Sequence, residues 1–240
     1  MRTMAGNLLE VSGLTVRYGP ARALEDVSFT VAGNTAVAVL GVNGAGKSTL
    51  ARALSGLVPI SAGSIRLGGQ DLTGKSPARF RRAGIVHLPE GRGVFTSLTV
   101  AENLRMGLVV ERGDRAAAIE RAFSIFPVLG ERRRQLAGTL SGGEQQILSL
   151  ARALMLEPSV VIADEMSLGL APRMVDLVFE SLERARAAGS TVIMVEQFAA
   201  RALGFADDAL ILERGSVSWH GASSSAGSEL LHRYLGEATV

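Results

Sequence analysis

Residues Gly41-Val42-Asn43-Gly44-Ala45-Gly46-Lys47-Ser48 follow the spacing G-x-x-x-x-G-K-[ST], and this octapeptide constrains the fold more than any other stretch of the chain. Before it lies the apolar run Thr35 to Leu40, bounded by Gly33 and Gly41, which reads as a buried strand. After it, Leu50, Leu54 and Leu57 recur at helical spacing. A strand, a glycine-rich turn and a helix in that order bring backbone N–H groups and the positive end of a helix dipole to one point, a cradle for phosphate oxygens. In such a loop Lys47 reaches the β and γ phosphates of a nucleotide and the Ser48 hydroxyl ligates Mg²⁺. With 28 Gly, two Lys and 32 Ser plus Thr in 240 residues, random order would yield only about 0.003 such matches. Gly41, Asn43, Gly44, Ala45, Gly46, Lys47, Ser48 and Thr49 are therefore the candidate nucleotide-binding set.

Lysine usage sharpens the point. Of 25 basic residues only Lys47 and Lys75 are Lys, so a retained lysine marks a need for a compact ammonium. Positive and negative groups nearly balance, 25 against 23, and the short runs Arg81–Arg82 and Arg132–Arg134 read as solvated faces. No nucleic-acid partner is expected from that charge distribution. Zero cysteines exclude disulfides, thiolate metal sites and a Cys nucleophile. Hydrophobic residues at 47% supply a core, yet every apolar run is broken by charge before the ~18 residues of a membrane span, and the N-terminus lacks a basic start followed by an apolar stretch. The expectation is a soluble, unsecreted chain.

Further apolar runs at Val160 to Ala163, Thr191 to Val195 and Ala209 to Leu212 alternate with helical patterns, as βαβ units in a parallel sheet do. The Arg214-Gly215 turn closes a hairpin onto Val217 to Trp219. Leu9 to Tyr18, Val27 to Val31 and Ser64 to Leu67 read as an antiparallel accessory sheet. Between about 90 and 157 the pattern is mostly helical: Asp114 caps a helix carrying Ile119, Ala122, Phe123 and Phe126 on one face, and Pro127 ends it. Ala222 to Ser228 reads as a loop before a terminal helix, Glu229 to Leu235.

The run Val160-Val161-Ile162-Ala163-Asp164-Glu165 ends a strand in two carboxylates. That puts Asp164 at the carboxyl edge of the sheet, beside the phosphate loop, where it can hold Mg²⁺ while Glu165 polarises water against the γ phosphate. No Asn precedes either lysine, so the N-K-x-D element that reads guanine is missing. A second anion device is Leu140-Ser141-Gly142-Gly143-Glu144-Gln145-Gln146. Ser141 and Glu144 form a capping box, and two glycines in a first turn cost about 1 kcal/mol each relative to Ala while baring N–H groups at a positive dipole end.

The phosphate loop, LSGGEQQ and VVIADE in this order and spacing resemble an ABC-type ATPase subunit, over nearly the whole chain. The resemblance implies an α/β fold: a P-loop NTPase (RecA-like) core with a parallel sheet, an antiparallel β accessory sheet and an inserted helical subdomain. It implies one nucleotide-binding domain over 1–240, with core and β subdomain at about 1–89 and 158–240 and the helical subdomain at about 90–157. It further implies ATP and Mg²⁺ as ligands, two subunits sandwiching two ATP molecules head to tail, and Ser141, Gly142 and Gly143 meeting the partner's γ phosphate. Tyr18 takes the position of an aromatic that stacks on adenine. Glu90 stands where the family usually has Gln, as a candidate Mg²⁺ and phosphate contact, and Gln197 stands where a switch His is usual, as a neutral donor to the γ phosphate. Met166 replaces the usual Pro after Asp164-Glu165, and Ser167-Leu168-Gly169-Leu170-Ala171-Pro172 is the D-loop.

Glu90, Gln197, the SLGLAP run and Tyr234 to Gly236 together resemble one of the two ATP-binding subunits of bacterial branched-chain amino-acid importers. Its partners would be membrane permease subunits, a second ATP-binding subunit, identical or not, and indirectly an extracytoplasmic substrate-binding protein. Its place would be the cytoplasmic face of the cell membrane, as a peripheral subunit. Two alternatives stay open at this point: a soluble ABC ATPase acting in DNA repair or on ribosomes, and a structural partner with an inert ATP site. The first is disfavoured by the 94 residues between Lys47 and Ser141, too few for a long coiled coil, and the second by intact Lys47, Asp164 and Glu165. His87, His220 and His232 share no ligand spacing and read as structural or surface residues.

Overall fold

The computed structural model describes residues 9–91, 93–108, 114–196 and 199–227. Arg92, Gln197, His232, the terminal helix expected at Glu229 to Leu235 and the Tyr234 to Gly236 segment lie outside the described residues. Two sheets organise the chain. The strands β1 (Leu9–Tyr18), β2 (Ala21–Val31), β4 (Ala62–Leu67) and β5 (Gln70–Asp71) form an antiparallel sheet in the order β2-β1-β4-β5. The second sheet runs β10-β9-β3-β8-β7-β6, from β3 (Ala36–Leu40), β6 (Ile85–Leu88), β7 (Val160–Asp164), β8 (Thr191–Val195), β9 (Asp208–Glu213) and β10 (Ser216–Ala222). Its pairings are parallel except for the β9–β10 hairpin.

The central strands are apolar on both faces, which is what a sheet covered on both sides requires. On β3, Val37 and Val39 enter a core shared with the antiparallel sheet, while Ala36, Ala38 and Leu40 face a second core packed by helices. The same alternation holds on β7, where Val160 and Ile162 point one way and Val161 and Ala163 the other. Burying one such Val or Ile side chain contributes about 1.5–3 kcal/mol, so a charge at Ile162 would break the sheet where it supports Asp164.

The helices are α1 (Lys47–Ala53), α2 (Pro77–Arg82), α3 (Val100–Gly107), α4 (Arg115–Ile125), α5 (Pro127–Glu131), α6 (Gly142–Leu154), α7 (Pro172–Ala187) and α8 (Ala199–Phe205). Asp114 caps α4 as its sequence suggests, its carboxylate accepting from the N–H groups of Ala116 and Ala117 at 3.0 Å. Pro127 follows the end of α4 and also starts α5, because a proline at the first helical position forfeits no hydrogen bond. The strand β6 was not apparent as such in the sequence; it is the edge of the parallel sheet, paired with β7 from Ile85↔Val160 to Leu88↔Ala163. Among the described residues no helix is long and apolar enough to cross a membrane.

Candidate functional site

The phosphate loop leaves the carboxyl end of β3 and feeds α1, and β8 separates β3 from β7 in the sheet. All three strands are parallel, so their carboxyl ends open on one crevice, the expected ligand position for an α/β sheet. A cavity of about 670 Å³ lies there, lined among others by Asn43, Gly44, Gly46, Lys47, Ser48, Thr49, Glu90 and Glu165.

Close packing dictates the loop's glycines. Gly46 has φ 108°, and a Cβ there would sit 2.7 Å from the Ala23 carbonyl oxygen and 2.9 Å from Leu24 Cδ2. A Cβ on Gly41 would sit 2.5 Å from the Leu212 carbonyl oxygen. The loop is thus wedged between β2 and β9. With Gly46 at its N-cap, α1 has no side-chain cap and no acidic residue in its first turn, so its leading N–H groups remain for an anion.

Lys47 is buried, and its ammonium donates to the carbonyls of Gly41 at 2.8 Å and Val42 at 3.2 Å. Burial lowers its pKa, against the pull of Glu165 and Asp164. The Ser48 hydroxyl donates to Asp164 Oδ1 at 3.3 Å, joining two segments 116 residues apart. Asp164 is 2% exposed, and its carboxyl is pushed up to about 6 by burial and by neighbouring Glu165, with Glu90 adding to the rise and Ser48 opposing it. A hydroxyl hydrogen-bonded to a carboxylate is an oxygen pair of the kind Mg²⁺ takes together with substrate phosphates, and Glu90 acts on that carboxylate through its charge. Glu165 lines the same cavity in a left-handed conformation, φ 49°, and its N–H donates to the Val195 carbonyl at 2.8 Å.

His87 lies where its spacing could not place it: its side chain is buried, with Nε2 3.9 Å from Asp164 Oδ2. This is no ion pair, because burial and the nearby Arg52 pull the imidazole down to about 4 and keep it neutral.

The remaining candidates stand apart. Tyr18 is exposed at the end of β1, paired with Ala21 and therefore next to Arg22 and Ala23, which do line the cavity. Ser141, Gly142 and Gly143 do not line it; Ser141 caps α6, accepting from the Glu144 N–H at 3.3 Å while the Glu144 carboxylate accepts from the Ser141 N–H at 2.8 Å and from Arg132 Nε at 2.9 Å. Gly41 and Ala45 are buried behind the loop's surface, and Gln197 is outside the described residues. Sequence reading missed Arg22, Arg214 and Gly215 as cavity residues. The Arg214-Gly215 turn is brought there by two backbone bonds, Gly215 N–H to the Ala45 carbonyl and Glu25 N–H to the Gly215 carbonyl, both 2.9 Å.

Comparison with known proteins places the chain as a whole. A family model described as "ABC transporter" matches residues 24–167. The chain is 43% identical over 232 residues to the "High-affinity branched-chain amino acid transport ATP-binding protein BraG" of Pseudomonas aeruginosa, covering 95% of this chain and 100% of that protein. It is 34% identical over 219 residues to the "Probable branched-chain amino acid transport ATP-binding protein LivF" of Archaeoglobus fulgidus, covering 90% and 93%. Among solved structures, the ADP conformation of an ATP-binding cassette of an ABC transporter superposes with a TM-score of 0.81 at 26% identity, covering 97% of this chain and 96% of that one.

Proposed function

The chain belongs to the ABC transporter family as an ATP-binding and ATP-hydrolysing subunit, and we propose that the membrane importer it energises carries branched-chain amino acids. The substrate reading is supported by the end-to-end similarity to BraG, and the chemical reading by one observation above all: Lys47, Ser48, Glu90 and Glu165 converge on one cavity, with Asp164 hydrogen-bonded to Ser48 behind it.

In this reading Lys47 exchanges its carbonyl partners for the β and γ phosphates of ATP, and the free N–H groups of the loop and α1 hold the remaining oxygens. Ser48 and Asp164, with Glu90, would hold Mg²⁺, which when bound neutralises phosphate charge and polarises the γ phosphate. Glu165 orients the attacking water and accepts its proton as the water oxygen bonds to the γ phosphorus and the bond from that phosphorus to the β–γ bridging oxygen breaks, releasing ADP and phosphate. Gln197 donates a neutral hydrogen bond to the γ phosphate, and Tyr18 stacks on adenine from the β1 end. Ser141, Gly142 and Gly143 lie off their own chain's cavity, which supports their acting on ATP held by a second subunit in a head-to-tail pair. The subunit would sit on the cytoplasmic face of the membrane against permease subunits, and an extracytoplasmic binding protein would supply cargo.

The test is uptake of labelled leucine, isoleucine and valine by cells lacking this gene, complemented with wild type or Glu165→Gln. Wild type should restore uptake and Glu165→Gln should not. In the purified chain the variant should keep MgATP affinity while turnover falls ~100-fold or more. Failure of wild type to restore uptake refutes the substrate reading; near-normal turnover of Glu165→Gln refutes the chemical one.

A further inference from the structure

The residue assigned to water activation is held in a conformation its side chain disfavours. A non-glycine residue at φ 49° persists only where its surroundings fix it, and the segment that follows Glu165 shows how. Met166 is 2% exposed, and its sulfur accepts from the Gln146 amide of α6 at 2.9 Å. Ser167 donates twice into one carboxylate, that of Glu196: its hydroxyl to Oε2 at 2.7 Å and its backbone N–H to Oε1 at 3.3 Å. Glu196 is 4% exposed and directly follows β8, whose Val195 carbonyl accepts the Glu165 N–H. The Glu196 backbone N–H in turn reaches the Val39 carbonyl of β3 at 3.4 Å, so one residue touches both the strand that feeds the phosphate loop and the turn that carries Glu165.

We propose that Glu196 is a positioning residue for hydrolysis: its buried carboxylate grips Ser167 from both oxygens and thereby fixes the left-handed Glu165 at the cavity. The chemistry favours this assignment. A buried carboxylate is retained when hydrogen bonds compensate its desolvation, and a two-point grip fixes orientation as well as distance. Glu196 does not line the cavity, so its effect passes through the turn from Glu165 to Ser167 and not through nucleotide. Small displacements of a group that orients water cost far more in turnover than in ground-state binding. The inference rests on Glu165 being the base.

The experiment measures steady-state ATPase and MgATP affinity of the chain assembled with its permease, for Ser167→Ala, Ser167→Thr, Glu196→Ala, Glu196→Gln, the double Ser167→Ala/Glu196→Ala and the reference Glu165→Gln. We expect kcat to fall ~10- to 100-fold in Ser167→Ala and Glu196→Ala, with KM and nucleotide affinity within about twofold of wild type. Ser167→Thr, which keeps the hydroxyl, should recover most of the turnover, and the double variant should lose no more than either single one, because the two groups act as a unit. Wild-type turnover in Ser167→Ala and Glu196→Gln overturns the proposal. So does an additive loss in the double variant, or a parallel loss of affinity and turnover, which marks a merely structural residue. Should Glu196→Ala not fold, Glu196→Gln and the two Ser167 variants carry the test. If Glu165→Gln itself keeps normal turnover, the base assignment has failed; if it abolishes turnover while the Ser167 and Glu196 variants behave as wild type, only the positioning role has.

Discussion

Removing the Asn103 side chain should destabilise the segment that runs from Phe95 into α3, and the structure sets the size of the effect. Asn103 of α3 is fully buried; its Oδ1 accepts the Phe95 N–H at 2.8 Å, and its Nδ2 donates to the carbonyls of Phe95 at 2.9 Å, Thr99 at 3.0 Å and Leu98 at 3.3 Å. Each of those carbonyls has another donor, namely the N–H of Leu98, Asn103 and Ala137 respectively, so their loss is partial. Once the amide goes, the Phe95 N–H loses its acceptor. The Phe95 bond is part-buried, so its orphaned donor costs about 1 kcal/mol, the low end of the range for a buried one, and the remaining bonds about 1 kcal/mol net, giving roughly 2 kcal/mol. For a chain of this length that is a fall in Tm of about 4–8 °C. Asn103→Ala and the volume-preserving Asn103→Leu should be compared by urea unfolding, with hydrogen exchange at the Phe95 amide as the local readout. Both should lose about the same stability, since leucine fills the space without supplying an acceptor. A leucine variant within about 0.5 kcal/mol of wild type would mean that the void, and not the orphaned N–H, sets the cost, and the reasoning would be wrong.

Two further outcomes follow from the loops. In Gly46→Ala the new methyl meets the backbone of Ala23 at 2.7 Å, so the phosphate loop must shift; MgATP affinity measured by calorimetry should drop ~10-fold or more, and unchanged affinity would show the loop tolerates the displacement. Gly142→Asp places a carboxylate at the start of α6, so ATP-dependent dimerisation followed by light scattering should disappear through repulsion of the partner's phosphates while the isolated chain binds ATP normally; loss of binding in the monomer would contradict an in-trans role.

What the sequence disclosed, and what it withheld, divides by range. The strands β3, β7, β8 and β9 are legible because a strand buried on both faces must be an unbroken apolar run, and glycines or carboxylates mark its ends. β6 is not, since Ile85-Val86-His87-Leu88 is short, polar in its middle and defined only by pairing to β7. The phosphate loop and the Asp164-Glu165 pair are contiguous, so spacing reveals them. Arg22 and Arg214 are not: their approach depends on the β9–β10 hairpin meeting Ala45 and Glu25, a contact with no local signature. The burial of His87 against Asp164 escaped for the same reason.

Long-range contacts tie the site to the rest of the chain. Lys47 donates to the carbonyls of its own loop, while the Asp164 carboxyl, with burial and Glu165 against its charge, is supported by the Ser48 hydroxyl and by the charge of Arg52. Cation and anion sit near one another, and neither is well matched. In the proposed reading, a phosphate bearing a divalent cation would relieve both at once, giving Lys47 an anionic partner and Asp164 a cationic one. Because Asp164 ends β7 and Glu165 begins the turn tied to Gln146 of α6 through Met166 and to the end of β8 through Glu196, that relief would act on a segment already joined to the helix that Ser141 caps. If Ser141 acts on a second subunit's ATP as proposed, the hydrogen bonds from Gln146 to Met166 and from Ser167 to Glu196 are the physical route by which a change at one chain's phosphate would reach the other.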